Sequence, residues 1–440
     1  MPRRAFALAT LSALTTAGCG AGAGTAEVGR PGTTAGGRAG SRAGGAGTAG
    51  AEGATGAPGA RALTEMRGEW MATVENRDWP SRPGLTAAAQ RAELLVHLDR
   101  AVRNRLNTVI LQVRPTADAL WPSPYEPWSQ FLTGTQGRDP GWDPLGTAVR
   151  EAHARGLQLH AWFNPYRIAN HTDPGRLIAG HPARVHPDWA VPYGGKLYYN
   201  PGLPAVRAFV RRAILDAVAR YPVDAVHFDD YFYPYPEDGE DFADDDAYER
   251  HRGDFTSRAD WRRDNIDRLV REMAAGIKRV RPGTRFGISP FGVWRNATTD
   301  PLGSDTDAGA QTYDDLYADT RRWVREHWID YVAPQLYWEI GASGADYATL
   351  LDWWARVAEG TGTRLYIGEA LYRAGAAGAD GRPAAWQDPA ELSRHLTLAA
   401  RRPQVEGHVF FAAQDVAADP VGAMRRVVED HYTRAASPPR

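Results

Sequence analysis

An α/β fold of the (β/α)8 barrel type, with long strand-to-helix loops and a disordered N-terminal tether, is what the sequence predicts. Three observations carry this. From residue 67 onward, eight segments of strand character alternate with segments of helical spacing. The strand-to-helix connections are long, whereas the return turns are short. No glycine-rich phosphate loop follows the first strand, which argues against a doubly wound open sheet.

The elements follow in order. Residues 1–19 read as a signal peptide: Arg3 and Arg4 open it, and a mostly apolar run over 5–17 is too short to span a bilayer. Thr16-Ala17-Gly18-Cys19 resembles a bacterial lipobox, which makes Cys19 the lipidated residue, and Arg3-Arg4 resembles a twin-arginine export signal. Residues 20–62 are nearly all Gly, Ala, Thr, Arg and Ser. Such a stretch cannot bury enough surface to offset its ordering entropy, so it is expected to be a flexible linker.

The barrel is expected over 63–435. Strands are predicted at 67–74, 107–114, 157–163, 223–228, 284–289, 329–336, 364–368 and 408–412. Helices are predicted at 86–105, 143–155, 203–221, 260–280, 313–327, 347–359, 389–401 and 420–432. Leu94, Leu95, Leu98, Val102 and Leu106 recur at helical spacing, as do Leu145, Ala148, Val149 and Ala152. Gly156 suits a helix C-terminal cap, and Pro282-Gly283 closes the helix before it. The loops at 115–141, 164–202, 231–259 and 290–312 are the long ones. In a barrel such loops share the C-terminal face, so they say where the chemistry lies.

Composition narrows the function. A net charge of -2 gives no electrostatic case for nucleic acid or an anionic membrane surface. Fifteen Trp and eighteen Tyr exceed what the core needs, and many fall in loops, where ring faces suit sugars. Cys19 is the one cysteine, so no intramolecular disulfide or Cys-based zinc site is expected. His160, His227 and Asp229 fall on neighbouring strands, but the first strand does not end in H-x-H. No metal and no cofactor is expected.

The fourth strand runs from Val223, Ala225, Val226 and Phe228 straight into Asp229 and Asp230, followed by aromatic rings and prolines. Glycoside hydrolysis needs two carboxyl groups, one protonated and one ionised, placed around the scissile bond. Asp229 and Asp230 are the leading candidates. If the strand stays regular, side-chain alternation turns only one of them, Asp229, into the barrel mouth. The partner carboxylate is then expected from another strand, at Glu369 or Glu339, with Glu69 and Asp415 as further acids. Arg114, Asn164, Tyr166, His227, Tyr231, Gln335, Tyr337 and Trp338 fall at or near strand ends and are the expected substrate-binding groups.

The motifs R-G-E-W-M-A-T-V-E-N-R-D-W-P (67–80), H-A-W-F-N-P-Y-R (160–167), H-F-D-D-Y-F-Y-P (227–234), A-P-Q-L-Y-W (333–338) and Y-I-G-E-A-L-Y (366–372) fall on successive strand ends. From 67 to the end the chain resembles the glycosyl-hydrolase-like family 10 proteins. The resemblance implies a (β/α)8 barrel, glycoside-hydrolase activity, and an extracytoplasmic, often lipid-anchored, bacterial setting. For some relatives it implies cell-wall glycan as the substrate class. The expected partner is therefore a polysaccharide or peptidoglycan glycan, with the membrane met through the lipid alone. A second reading is a barrel that binds glycan without turnover; a third is a metal-dependent deacetylase or amidase.

Overall fold

The computed structural model describes residues 63–375 and 384–439; the expected signal peptide, Cys19 and the linker lie outside them. Eight parallel strands close into a barrel in chain order: β1 (Met66–Met71), β2 (Thr108–Arg114), β3 (Gln158–Phe163), β4 (Ala225–Phe228), β5 (Arg285–Ile288), β6 (Tyr331–Val332), β7 (Arg364–Glu369) and β8 (Val405–Phe411). β8 pairs back onto β1, with Met66 opposite Gly407 and Trp70 opposite Phe411, so the barrel leaves no open edge. The principal helices between strands are α1 (Ala87–Arg103), α2 (Pro144–Ala154), α3 (Pro204–Arg220), α4 (Arg258–Val280), α5 (Thr320–Arg325), α6 (Tyr347–Ala358) and α7 (Glu391–Ala399), and α8 (Ala423–Asp430) follows β8.

Strand alternation divides the core in two. Met66, Trp70, Ile110, Trp162, Ala225, Tyr331, Tyr366 and Val409 fill the barrel interior. Met71, Val109, Leu111, Phe163, Val226 and Phe228 belong to the larger layer under the helices. Gly287 makes room for the interior: a Cβ there would lie 2.0 Å from the Tyr331 ring, so only glycine lets that ring cross the barrel.

Several boundaries differ from expectation for local reasons. β6 is two residues long rather than the predicted 329–336, because Pro334 lacks an N–H and the ladder becomes irregular beyond Val332. Its pairing continues through single bonds, Gln335 N to Pro290 O at 2.9 Å and Leu336 N to Gly368 O at 3.1 Å. The helix predicted over 313–327 is two pieces, Thr312–Asp315 and α5, parted at Tyr317 with its positive φ of 52°. The loop after β3 is more than a loop. It holds a three-stranded antiparallel sheet in which Arg167–Ala169 and Ala190–Tyr193 flank Lys196–Tyr199. At the N-terminal end of the barrel the chain terminus is tied in: Ser437 O accepts from Glu65 N, and Ser437 N donates to Leu63 O.

Candidate active site

The site begins with where β4 stops. Its ladder ends at Phe228, and Asp229 and Asp230 follow on irregular backbone. Alternation therefore does not part the two acids, as a regular strand would have done. Their side chains come into hydrogen-bond contact, and Asp230 N also donates to Asp229 Oδ1 at 3.0 Å. Burial, together with the charge and hydrogen bond of Asp229, pushes the Asp230 carboxyl well above the usual carboxylate range.

Asp229 is anchored through a relay of amides. Asn164 Nδ2, just past the end of β3, donates to Asp229 Oδ2 at 2.8 Å. Asn164 Oδ1 in turn accepts from Gln112 Nε2 at 2.6 Å, and Gln112 Oε1 accepts from Thr73 N and Val74 N, both at 2.9 Å. Gln112 and Asn164 are buried, so the chain from β1 through β2 and β3 fixes the carboxylate without a titrating group. Asp230 has its own partner: the Tyr235 hydroxyl donates to its Oδ2 at 2.5 Å.

Half-buried aromatic rings frame the pair. Tyr231 meets Tyr235 edge-on, Tyr235 meets Phe291, and Phe291 meets Trp338. A second arc joins Tyr337, Tyr372 and Phe411, with the Arg77 guanidinium 4.8 Å from the Phe411 ring centre. Tyr231 accepts a hydrogen bond from Arg167. Burial, with the charges of Tyr372 and of both aspartates, holds the Tyr337 phenol well above its ordinary pKa, so it keeps its hydroxyl proton. Rings at partial exposure around a carboxyl pair can stack sugar faces.

Other expected site residues lie elsewhere. Arg114 is fully buried and engaged: it grips Glu126 through Nε at 2.7 Å and Nη2 at 2.5 Å, and donates to the carbonyls of Asn164 and Pro165. It thus holds the Asn164 backbone and does not face substrate. Tyr166 is buried in the strand–helix layer beside the charges of Arg207 and Glu272. His227 lies beneath the mouth, with Trp70 Nε1 at 3.1 Å and Ser289 Oγ at 2.8 Å from its Nε2. The indole can only donate, so Nε2 accepts and the ring carries its proton on Nδ1, 2.9 Å from the Tyr331 hydroxyl. Burial lowers the pKa of His227 to about 3, so the ring stays neutral. Gln335 is partly exposed and donates to the Ser289 carbonyl at 3.0 Å.

Glu369 is not at the mouth. Residues of β7 alternate, and Glu369 follows the inward Gly368, so it points out under the helices. There Tyr347 Oη, His408 Nδ1 and His395 Nδ1 each lie 2.9 Å from its carboxylate. Glu339 sits on the rim beyond Trp338 and accepts the Trp386 indole N–H at 3.1 Å. Glu69 also points outward into the strand–helix layer, where burial raises its pKa to about 8. Asp415 pairs with Arg77 at 3.0 Å. Gln112, Tyr235, Phe291 and Phe411 were absent from the expected set; the aromatic density around Asp230 pointed to Tyr235, but nothing in the sequence marks Gln112.

Comparison with known proteins agrees with this architecture. The profile described as glycosyl hydrolase-like 10 matches residues 65–387. The chain is 47% identical over 383 residues to a Bacillus subtilis protein named glycosyl hydrolase YngK, covering 87% of this chain and 74% of that one. It is 43% identical over 369 residues to glycosyl hydrolase DigH of Escherichia coli K12, covering 79% and 82%. Among solved structures, the glycoside hydrolase domain of PgaB (BpsB) from Bordetella bronchiseptica superposes with a TM-score of 0.52 at 14% identity, over 83% of this chain and 98% of that one. The catalytic domain of a Paenibacillus polymyxa β-amylase gives 0.51 at 11% identity, over 84% and 99%. At such identities these two speak for the barrel fold alone. On the family match and the two sequence relatives, the chain belongs to the glycosyl hydrolase-like 10 family.

Proposed function

We propose that the protein hydrolyses glycosidic bonds of a polysaccharide, with bacterial cell-wall glycan as the substrate class. One observation carries this: a carboxyl pair at the C-terminal mouth of the barrel, with Asp230 pushed well above the usual carboxylate range by burial and by Asp229, framed by partly exposed aromatic rings. Asp230 is the general acid that protonates the leaving oxygen, and Asp229 is the second carboxyl beside it. Tyr231, Tyr337 and Trp338 supply stacking faces and hydroxyl donors, and Gln335 supplies an amide near the rim. Family membership supports the reading, because the relatives are named glycosyl hydrolases. Attachment through a lipid on Cys19, outside the cytoplasm, is the setting proposed from the signal-like residues 1–19.

The test is reducing-end release from purified cell-wall glycan. The wild-type protein is expected to release new ends, and Asp230→Asn to lose about 10²–10⁴ of the rate, the usual worth of a positioned acid. Binding of glycan by wild type with no release of ends would instead establish a glycan-binding barrel.

A further inference from the structure

We infer that the protein holds an acidic sugar at a second site, apart from the barrel mouth, in a cavity between α3 and α4 where Arg207 receives the sugar's carboxylate. This goes beyond the glycosidase reading and does not need it.

The cavity measures about 550 Å³. Small-ligand sites span about 300–1,000 Å³. Three stretches of chain line it: Pro204 and Arg207 from the start of α3, Trp261 and Asn265 from the start of α4, and Asp254 and Phe255 from the turn before α4. Helices of a (β/α)8 barrel begin at the end where the strands stop, so the cavity belongs to the same half of the barrel as Asp229 and Asp230. The turn is held in place without a ligand. Phe255 O accepts from Tyr248 Oη at 3.3 Å and from Arg252 Nη1 at 3.2 Å, and Phe255 N donates to Arg252 O at 3.0 Å. The Trp261 indole N–H donates to His251 O at 3.2 Å and ties the turn to α4. Such a wall needs little ordering when something binds.

Arg207 is the residue that calls for a ligand. It is only 9% exposed, and its Nε donates to Glu272 Oε1 at 3.2 Å. Nη1 has no hydrogen-bond partner among the described residues. Glu272 does not make up the deficit, because its other oxygen takes Arg211 Nη1 at 2.7 Å. A buried guanidinium with an unused donor is unfavourable until something accepts from it, and its planar fork matches a carboxylate.

The other lining groups say what that carboxylate is attached to. Asn265 Nδ2 donates to Trp261 O at 3.0 Å, so the amide oxygen is the end left for a ligand. Asp254 is exposed on the rim. Both oxygens are acceptors and suit hydroxyl donors. Phe255, half-buried, and Pro204 add apolar surface for the C–H face of a ring. Asp264 is already paired with Arg268 at 2.6 Å. Inorganic phosphate fits this set badly: it offers little to the two acceptors, and Asp254 repels its second charge. A sugar carboxylate brings one charge, a set of hydroxyl donors and an apolar face.

The experiment titrates the full chain with sodium glucuronate by calorimetry, against glucose and inorganic phosphate at matched ionic strength. Glucuronate is expected to bind at least about tenfold more tightly than either, the usual worth of a charged hydrogen bond. Arg207→Gln is expected to weaken glucuronate by about the same factor and to leave glucose unchanged. Phe255→Ala, at a half-exposed position, is expected to weaken both sugars, and it serves where Arg207→Gln does not fold. Asp230→Asn is expected to bind glucuronate as wild type does. Phosphate bound as tightly as glucuronate, glucose bound as tightly, or no saturable binding overturns the inference. So does glucuronate binding that survives a folded Arg207→Gln or Phe255→Ala unchanged, or that Asp230→Asn abolishes, since either puts the sugar elsewhere. None of these outcomes reads turnover, so failure here leaves the glycosidase reading to its own test.

Discussion

At the scale of single residues, the surroundings of Asp230 favour its protonated form. Burial and the neighbouring Asp229 raise its pKa, and the hydrogen bond from Tyr235 partly offsets them by favouring the ionised form. Tyr235→Phe removes that offset, so the Asp230 pKa rises further. The general acid then stays protonated to higher pH, and the alkaline limb of the kcat/KM profile is expected to move upward; a limb moving downward would contradict the assigned roles. The pair itself was legible in the sequence, because adjacent acids at the end of an apolar strand have few structural uses. The partners were not. Arg114 stands at a strand end as a sugar-binding arginine would, but the ion pair with Glu126 forms across a loop fold that no spacing rule predicts. Glu369 was misplaced for a different reason: the burial cost that singled it out is met by histidines from α7 and β8, not by a catalytic task.

At the scale of elements, that same cluster binds β7 to β8, α6 and α7. Tyr347 stacks on His395 with ring centres 3.7 Å apart, and His395 lies between Glu369 and Glu391. The Glu369 pKa falls to about 2: burial opposes this, but the charges and hydrogen bonds of His395 and His408 outweigh it. The His395 pKa is raised by Glu369 and Glu391 against the cost of its burial. The signs follow from linkage. The Glu369 contribution is present above its ordinary value of 4.5 and is lost as pH falls through about 2. The His395 contribution is complete below 6.5 and is lost as pH rises through its raised value. Glu369→Gln takes from buried His395 the closer of its two anions and from His408 its carboxylate partner, and is expected to lower stability by about 3 kcal/mol in urea unfolding near neutral pH. Glu69, under α1, runs the other way. Its folded pKa of about 8 lies above 4.5, so it binds a proton more tightly folded than unfolded, and stability falls as pH rises between the two values. Glu69→Gln is expected to flatten the decline in melting temperature between pH 5 and pH 9.

At the scale of the whole molecule, the barrel depends on the seam between the last strand and the first. Gly407 lies opposite Met66 there with φ of 143°, and an added Cβ would meet the Met66 carbonyl oxygen at 2.1 Å. Gly407→Ala is expected to prevent closure, seen as loss of near-UV circular dichroism and of a single cooperative thermal transition. A variant that melts as wild type does would show that the seam adapts. The count of strands, their order and the face that carries the long loops were all readable beforehand, because period-2 and period-3.6 patterns are local properties of the chain. So was the placing of Asp229 and Asp230 on that face. The irregularity of β6, the sheet inside the loop after β3, and the break at Tyr317 were not, because each depends on how distant backbone groups find partners. The meeting of the two aspartates was decided by the tertiary structure alone. Alternation along a strand parts neighbouring side chains only while the ladder lasts, and the fold ends that ladder one residue before the first acid.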